Sequence, residues 1–234
     1  MSNENNFETF LYYSNKKLSI CVHQRDKDSK FYEKSIILDD NLNNLHLDKL
    51  DEFLHSNIFI IEKSLKRFIK NITLIIEHKE PLKIALSLKK KNYGNLLNGN
   101  SLSSLLKDAR NQIKESYNDK SIIHMIIDRY LIDGERFSYL PKKIKCENVC
   151  IDLNFVCLSE DFIKKFEQSF SKYQIKIKQI ISADYIKDYF KDDEIDIFFM
   201  CKKIIQGHNQ NEVLLVPKKT ENKGFFEKFF NFFS

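Results

Sequence analysis

The stretch "VCIDLNFVCLSEDFIKKFEQSF" (residues 149–170) changes from a strand pattern to a helix pattern without an interruption. Apolar and polar side chains alternate over 149–158, which predicts a half-buried strand. Ser159 suits the N-cap of the following helix, and two acidic residues come next, where the helix dipole favours them. The predicted inner face of this helix is apolar and consists of Phe162, Ile163, Phe166 and Phe170. A strand that passes directly into an amphipathic helix indicates a mixed α+β chain.

Hydrophobic periodicity on both sides of this stretch extends the α+β prediction. Strands are predicted within 8–23 and 30–38, at 72–77 and 82–90, from residue 121 to a turn at Asp133-Gly134, and at 174–181 and 212–216. Helices are predicted over 47–70, with or without a break near Asn57, over 102–116 with Ser101 as N-cap, over 183–190, and over 195–207 ending at Gly207. No internal repeat is visible.

The composition allows one large domain or two small ones in 234 residues, and the hydrophobic share of 42% is sufficient for a core. Charged residues make up 30%, but the net charge is only +5. Of the 38 basic residues five are arginine, and the lysines alternate with acids instead of forming a stripe. A nucleic-acid-binding role is therefore not expected.

The five cysteines, at positions 21, 146, 150, 157 and 201, form no CxxC pair. Their odd number and irregular spacing argue against a disulfide framework and against a zinc site. Buried free thiols imply a reducing compartment. The polar N-terminus resembles no signal peptide, and no window is apolar enough to span a membrane. We expect a cytoplasmic protein whose membrane contact is peripheral, on the inner face of the cell membrane.

No motif for an active site stands out, so the sequence predicts no catalytic residue, no metal ligand and no cofactor. There is no glycine-rich nucleotide loop and no nucleophile elbow. The six histidines lie apart, and His124, within an apolar strand, is predicted to be a satisfied core or edge residue. The acidic run from Asp192 to Asp196 is predicted to be a solvated loop and helix N-terminus and not a cation site. Asp133-Gly134 is interpreted as a tight turn.

The chain ends in "KGFFEKFFNFFS" (223–234), which is rich in phenylalanine. At about 100° per residue the phenylalanines share an arc of roughly 160°, which predicts an amphipathic helix over 225–234. The polar segment 217–224 contains Pro217 and Gly224 and is interpreted as a linker. Three roles stay open for this helix: docking on the protein's own core, lying in a membrane interface, and occupying a groove on a partner. The predicted membrane-binding residues are Phe225, Phe226, Phe229, Phe230, Phe232, Phe233, Lys223 and Lys228.

The order of the elements resembles the inserted subdomain of FtsA, the actin-like bacterial cell-division family. The resemblance rests on "SIIHMIIDRYLIDG" (121–134) followed by the strand, helix, strand and helix of 149–190. The matching positions are Ile123, His124, Asp133, Gly134 and Ala183. "LYYSNKKLSICV" (11–22) stands where the family has its first phosphate hairpin, and the family also ends in a linker and a short membrane-targeting helix. The resemblance implies a partial actin-like (ribonuclease-H-like) subdomain with an inserted α/β subdomain.

Departures from the family pattern concern the nucleotide site. In the hairpin Tyr12 replaces the family's acid, Ser14 its glycine and Asn15 its threonine, and only Lys17 is retained. The second phosphate loop is absent, and residues 191–217 stand where the family has its second actin-like half. We therefore expect a truncated FtsA-like chain without an ATP site. The expected division of the chain is 1–90 and 191–216 as remnants of the actin-like part, 91–190 as the inserted subdomain, 217–224 as linker and 225–234 as membrane helix.

The function that these patterns predict is that of a non-enzymatic, membrane-associated adaptor of the cell-division machinery. The expected partners are an anionic membrane surface and division proteins, either FtsZ or later divisome components, together with self-association. The strands at 174–181 and 212–216 are candidates for strand pairing with a partner. Two alternatives stay open. One is a divergent actin-like protein that holds ATP through Ser14 to Lys17, and the other is an adaptor of pilus assembly like PilM, a family with the same inserted subdomain.

Overall fold

A computed structural model describes residues 7–24, 29–38, 45–97, 99–141, 143–191 and 196–213 of the chain. These segments form nine strands and five helices, in the order βββαββαβββαβαα. The strands are β1 (Phe7–Tyr13), β2 (Lys17–Gln24), β3 (Lys30–Ile37), β4 (Asn71–Ile76), β5 (Leu82–Lys91), β6 (Lys120–Ile132), β7 (Glu135–Phe137), β8 (Asn148–Ser159) and β9 (Lys176–Ser182). The helices are α1 (Leu47–Leu65), α2 (Gly99–Ser116), α3 (Glu160–Ser171), α4 (Ala183–Phe190) and α5 (Ile197–Ile205).

The first sheet has the strand order β3-β2-β1-β4-β9. Its first three strands are antiparallel, whereas β4 runs parallel to β1 and β9 runs parallel to β4. Apolar residues of α1 and α3 cover one face, including Leu54, Ile61 and Phe166. The other face is covered by α4 and α5, with Ile186 and Phe198 in its core. Helices on both faces of a mixed sheet in this order form a ribonuclease-H-like layer.

The second sheet is antiparallel in the order β5-β8-β6-β7 and is inserted between β4 and α3. Helix α2 packs on it and contributes Leu105, Ala109 and Ile113 to a core shared with Leu153 and Phe155 of β8. The turn predicted at Asp133-Gly134 is confirmed and joins β6 to β7, with φ values of 48° and 92° at its two residues. The left-handed conformation at these two positions suits Asp and Gly.

The division of strands between the sheets differs from the domains expected from the sequence. Strand β5 was expected in the actin-like part, but it pairs along its whole length with β8, from Leu82↔Cys157 to Lys91↔Asn148. Strand β9 was expected in the inserted subdomain, but it pairs with β4 in the first sheet. Hydrophobic periodicity detects a strand and the face that it buries, but it does not identify a partner strand remote in the chain.

The long helix α1 ends earlier than predicted, because Lys66 adopts a left-handed conformation with φ 54°. The break considered near Asn57 is absent, since α1 is continuous through this residue. The Asn57 side chain is buried and its polar atoms are paired: it donates to the Phe53 carbonyl and accepts from the Tyr32 hydroxyl at 2.6 Å each. An asparagine satisfied in this way is compatible with a helix interior.

The ends of the other helices match the sequence-based predictions in part. Helix α2 begins at Gly99, so Ser101 lies within its first turn and is not the N-cap. Ser159 occupies the N-cap of α3 as predicted, although its side chain makes no capping hydrogen bond within the described segments. Gly207 follows α5 with φ 82°, as expected of a residue that ends a helix. All five cysteines are free thiols. Within the described residues no helix is long and apolar enough to cross a membrane.

Candidate functional sites at the hairpin and at the sheet junction

The turn between β1 and β2 is the one whose sequence was compared with a phosphate hairpin. The Ser14 amide donates to the Lys17 carbonyl at 2.9 Å. The Ser14 hydroxyl oxygen in turn accepts from the backbone amides of Lys17 at 3.0 Å and Lys16 at 3.3 Å. Three backbone N–H groups of the turn are therefore bound within it. A phosphate would need such groups directed outward, and a glycine at position 14 would leave the amides of Lys16 and Lys17 without this side-chain acceptor.

Beside this turn, side chains from the carboxyl ends of two parallel strands and from α4 form a polar cluster. The Tyr12 hydroxyl donates to the Glu77 carboxylate, and the Lys187 ammonium donates to the same oxygen, Oε2, at 2.9 Å. Burial works to raise the pKa of Glu77, but the hydrogen bonds from Tyr12 and Lys187 outweigh it, and the pKa lies below its ordinary value. Burial and the Glu77 acceptor raise the pKa of Tyr12. At neutral pH the cluster therefore holds a neutral phenol, a carboxylate and an ammonium that satisfy one another.

Asp184 is the second carboxyl group near this cluster, and burial followed by repulsion from Glu77 raises its pKa. Lys17, the residue retained from the family hairpin, is exposed at the start of β2. The hairpin is apparent from the sequence, but the participation of Glu77 and Lys187 is not. The available signal was topological, because the carboxyl ends of parallel strands meet at one edge of a sheet.

His124 is the centre of a buried hydrogen-bond network, which confirms the prediction of a satisfied core histidine. Its Nε2 accepts from the Ser182 amide at 2.9 Å, so the ring proton resides on Nδ1. Nδ1–H then donates to Glu212 Oε1 at 2.8 Å. The other carboxylate oxygen of Glu212 accepts from the Tyr185 hydroxyl at 2.9 Å. Burial is the main cause of the raised pKa of Tyr185, so this hydroxyl stays protonated and donates.

This network joins three parts of the chain. His124 belongs to β6 of the second sheet, and Ser182 and Tyr185 lie where β9 of the first sheet passes into α4. Glu212 is in the segment after α5, and this segment is hydrogen-bonded to β6. The Val213 amide donates to the Met125 carbonyl at 2.8 Å, and the Ile127 amide donates to the Asn211 carbonyl at 2.9 Å. Of the strand predicted at 212–216, Glu212 forms an isolated bridge with Ile126, and 214–216 lie outside the described segments.

A groove of about 390 Å³ lies next to this network, at the junction of the two sheets. We call it the junction groove, and it is lined by Ile126, Ile127, Asp128, Tyr139, Tyr189, His208, Asn209, Gln210 and Asn211. Tyr139 is 64% exposed and Tyr189 is 37% exposed. Asn211 donates its side-chain amide to the Ser138 carbonyl at 2.9 Å. Tyrosine is among the residues enriched in surfaces that bind proteins.

Two further regions were singled out in the sequence, the acidic run from Asp192 to Asp196 and the terminal phenylalanine segment. Of the acidic run, Asp196 is described, and it caps α5 by accepting from the Phe198 amide at 2.8 Å and pairs with Lys30. Asp192, Asp193 and Glu194 lie outside the described segments. In those segments no three His, Cys, Asp or Glu side chains are grouped as metal ligands. The predicted membrane-binding residues also lie outside the described segments, namely Phe225, Phe226, Phe229, Phe230, Phe232, Phe233, Lys223 and Lys228.

Comparisons with known proteins gave matches among solved structures only. No family model and no curated protein matches the sequence. A chain of the PilM–PilN type IV pilus biogenesis complex matches with a TM-score of 0.51 and 8% identity, over 78% of this chain and 49% of that chain. The cytoplasmic domain of EpsL, an inner-membrane component of the Vibrio cholerae type II secretion system, matches at 0.40 and 8%, over 77% and 58%. A Bacteroides thetaiotaomicron protein with an actin-like ATPase fold and unknown function matches at 0.35 and 12%, over 81% and 58%.

The first of these likenesses bears on the fold. The chain spans about half the length of the matched chain in the PilM–PilN complex, and at 8% identity the likeness concerns architecture alone. The predicted fold class, an α+β chain with part of an actin-like fold, is confirmed. The finer assignment to FtsA finds no counterpart among these structures.

Proposed function

We propose that the chain is a non-enzymatic adaptor that works by binding other proteins at the inner face of the cell membrane. The observation that carries the proposal is the contrast between the two sites. At the hairpin, Ser14 and the Glu77 cluster occupy the groups that would meet a phosphate. At the sheet junction an open groove presents exposed tyrosines. A chain with this pair of features is suited to hold a partner and not to turn over a nucleotide.

Two biological settings fit this adaptor. The resemblance to FtsA in residues 121–190 supports a role in cell division, with FtsZ or a later division protein as partner and with self-association through the inserted subdomain. The likeness to a chain of the PilM–PilN complex supports an adaptor of type IV pilus assembly. In either setting we propose that a partner segment binds in the junction groove and that the chain lies beside a membrane, so the experiments below apply to both.

The membrane half of the proposal is tested with the terminal phenylalanine segment. The full chain is expected to sediment with anionic vesicles, and Phe226→Glu with Phe229→Glu is expected to leave it in the supernatant. Each phenylalanine buried in the interface is worth about 2 kcal/mol, and a glutamate there is repelled by anionic lipid. Asn231→Glu with Ser234→Glu adds the same charge on the predicted polar side and should sediment like the wild type. Equal sedimentation of the two double variants would contradict a phenylalanine anchor.

The alternative of ATP binding is tested by thermal unfolding in millimolar Mg-ATP. We expect no change in Tm, because the hairpin amides of Lys16 and Lys17 are already bound to Ser14. A functional site at a hundred times its Kd would add about 2.7 kcal/mol of stability, which is readily measured. Lys17→Ala is the matched variant. A rise in Tm with ATP that this variant abolishes would establish a nucleotide site at the hairpin and contradict the proposal that the hairpin binds no phosphate.

A further inference from the structure

A second cavity lies at the amino ends of β1 and β4, and it shares no lining residue with the hairpin or the junction groove. Its volume is about 740 Å³, and we call it the basic cleft. It is lined by residues 65–73, by residues 7–9 of β1 and by Lys178 of β9. The end of α1 and three neighbouring strands of the first sheet thus enclose one space, and neither the resemblance nor the proposed function gives this space a role.

The charge of the basic cleft is strongly one-sided. Four cations line it, Lys66, Arg67, Lys70 and Lys178, against Glu8 as the one acid among the described lining residues. The three lysines make no ion pair with any other described residue. Lysines that served only to balance the negative carboxyl end of α1 would all lie close to that end in the chain. Lys178 comes from a different element, β9. A concave surface lined by one sign of charge concentrates the opposite charge.

Two backbone irregularities direct cations to this cleft. The pairing of β4 with β9 shifts register between Ile72 and Thr73, and Lys178 is the extra residue on the β9 side. A bulge of this kind redirects the side chain that it carries. Lys66 follows α1 in the left-handed conformation, with φ 54°, and its amide donates to the Lys63 carbonyl at 3.4 Å. Two of the four cations, Lys66 and Lys178, therefore lie where the backbone departs from regular helix or strand geometry.

Aromatic side chains lie among these cations. The Phe68 side chain is 80% exposed at the rim, and Phe7 contacts Phe31 edge-on with ring centroids 5.2 Å apart. The Arg67 guanidinium carbon lies 4.7 Å from the centre of the Phe7 ring, in a cation–π arrangement. Arginine and exposed aromatic residues are enriched where proteins bind proteins. A concave cleft also favours a chain segment that enters it over a flat membrane surface.

We propose that the basic cleft binds an acidic segment of a partner protein that also carries aromatic side chains. The carboxylates of the segment meet Lys66, Lys70 and Lys178, and its rings pack against Phe68 and Phe7. Charge complementarity identifies the occupant. This docking site lies at the opposite end of the β1 and β4 strands from the hairpin, and it depends neither on the junction groove nor on the terminal segment.

The test uses the full chain and a fluorescein-labelled peptide of repeated Glu-Glu-Phe as probe, with fluorescence anisotropy as readout. We expect saturable binding that weakens with salt, and about a tenfold or greater rise in Kd for Lys70→Glu with Lys178→Glu, because attraction becomes repulsion. Lys89→Glu with Lys91→Glu is the matched control: it changes the net charge equally on the exposed side of β5 and should leave Kd within about twofold. Equal weakening by both pairs would overturn the proposal.

A second experiment distinguishes binding of a protein segment in the cleft from binding of a membrane. The full chain carrying Phe226→Glu and Phe229→Glu is mixed with vesicles that contain anionic phospholipid. The proposal predicts that this variant binds the peptide but not the vesicles. Binding to vesicles that is lost when Lys70→Glu and Lys178→Glu are added, without binding to the peptide, would assign the cleft to lipid and contradict the proposal. The folded state of each variant is checked by its thermal unfolding curve.

Discussion

Replacing Phe166 with alanine is expected to lower the free energy of unfolding by about 4 kcal/mol, the largest single effect that we predict. The ring is fully buried between α3 and the first sheet. It meets Tyr13 edge-on with centroids 5.0 Å apart, and it meets Phe162 at 5.1 Å. Its removal leaves a cavity where the chain returns from the second sheet to the first. Urea unfolding followed by circular dichroism measures the change.

The matched control is Phe59→Ala, which removes the same ring from the exposed side of α1, where Phe59 is 70% exposed. A surface substitution of this kind is expected to cost about 0.5 kcal/mol or less. If both variants unfold at the same urea concentration, α3 does not pack on the first sheet as described. The ribonuclease-H-like layer would then lose one of its covering helices.

Replacing Glu212 with alanine is expected to cost about 3 kcal/mol of stability. The Glu212 side chain is 6% exposed, and both of its oxygens accept hydrogen bonds, from His124 and from Tyr185. Alanine leaves a buried imidazole N–H and a buried phenol without an acceptor. The His124 ring cannot correct this by exchanging its proton, because Nε2 must accept from the Ser182 amide. Urea unfolding again gives the free energy.

Glu212→Gln separates the hydrogen bonds from the packing. Glutamine keeps the volume and one carbonyl acceptor, but its amide group faces a second donor, so we expect a loss of roughly 1–2 kcal/mol. Tyr185→Phe should show a loss of similar size, since it removes a donor to Glu212. Full stability of Glu212→Ala would mean that the network does not join the two sheets. The junction groove, which is built on the same segments, would then lack its support.

Much of this fold is predictable from the sequence, because most of the helices and strands bury one face and therefore show a regular spacing of apolar residues. The alternation in 149–158 and the spacing of Phe162, Phe166 and Phe170 led directly to β8 and α3. The end of α1 was placed too late, since residues 67–70 continue an apolar spacing although Lys66 has already left the helix. Strand β9 was assigned to the wrong sheet. Its partner β4 lies about a hundred residues earlier, and parallel pairing over that distance leaves no periodic signal.

The candidate sites were less accessible to prediction than the fold. Sequence reasoning singled out Tyr12, Ser14 and His124, and the structure brings each of them into a hydrogen-bonded arrangement. It missed Glu77 and Glu212, which are single acids in ordinary surroundings along the chain. The junction groove combines residues from β6, α4 and two loops, and the basic cleft combines a helix end with three strands. Sites assembled in this way depend on tertiary contacts that local spacing does not encode.

Site-specific photocrosslinking in cells tests most directly whether the junction groove binds a protein. A benzophenone amino acid replaces Tyr139 in the groove, and in a second strain it replaces Tyr93, which is 74% exposed and does not line the groove. We expect a discrete adduct from position 139, absent from position 93, that contains a membrane protein of cell division or of pilus assembly. Equal labelling from both positions, or no adduct from position 139, would mean that the junction groove is not a protein-binding site.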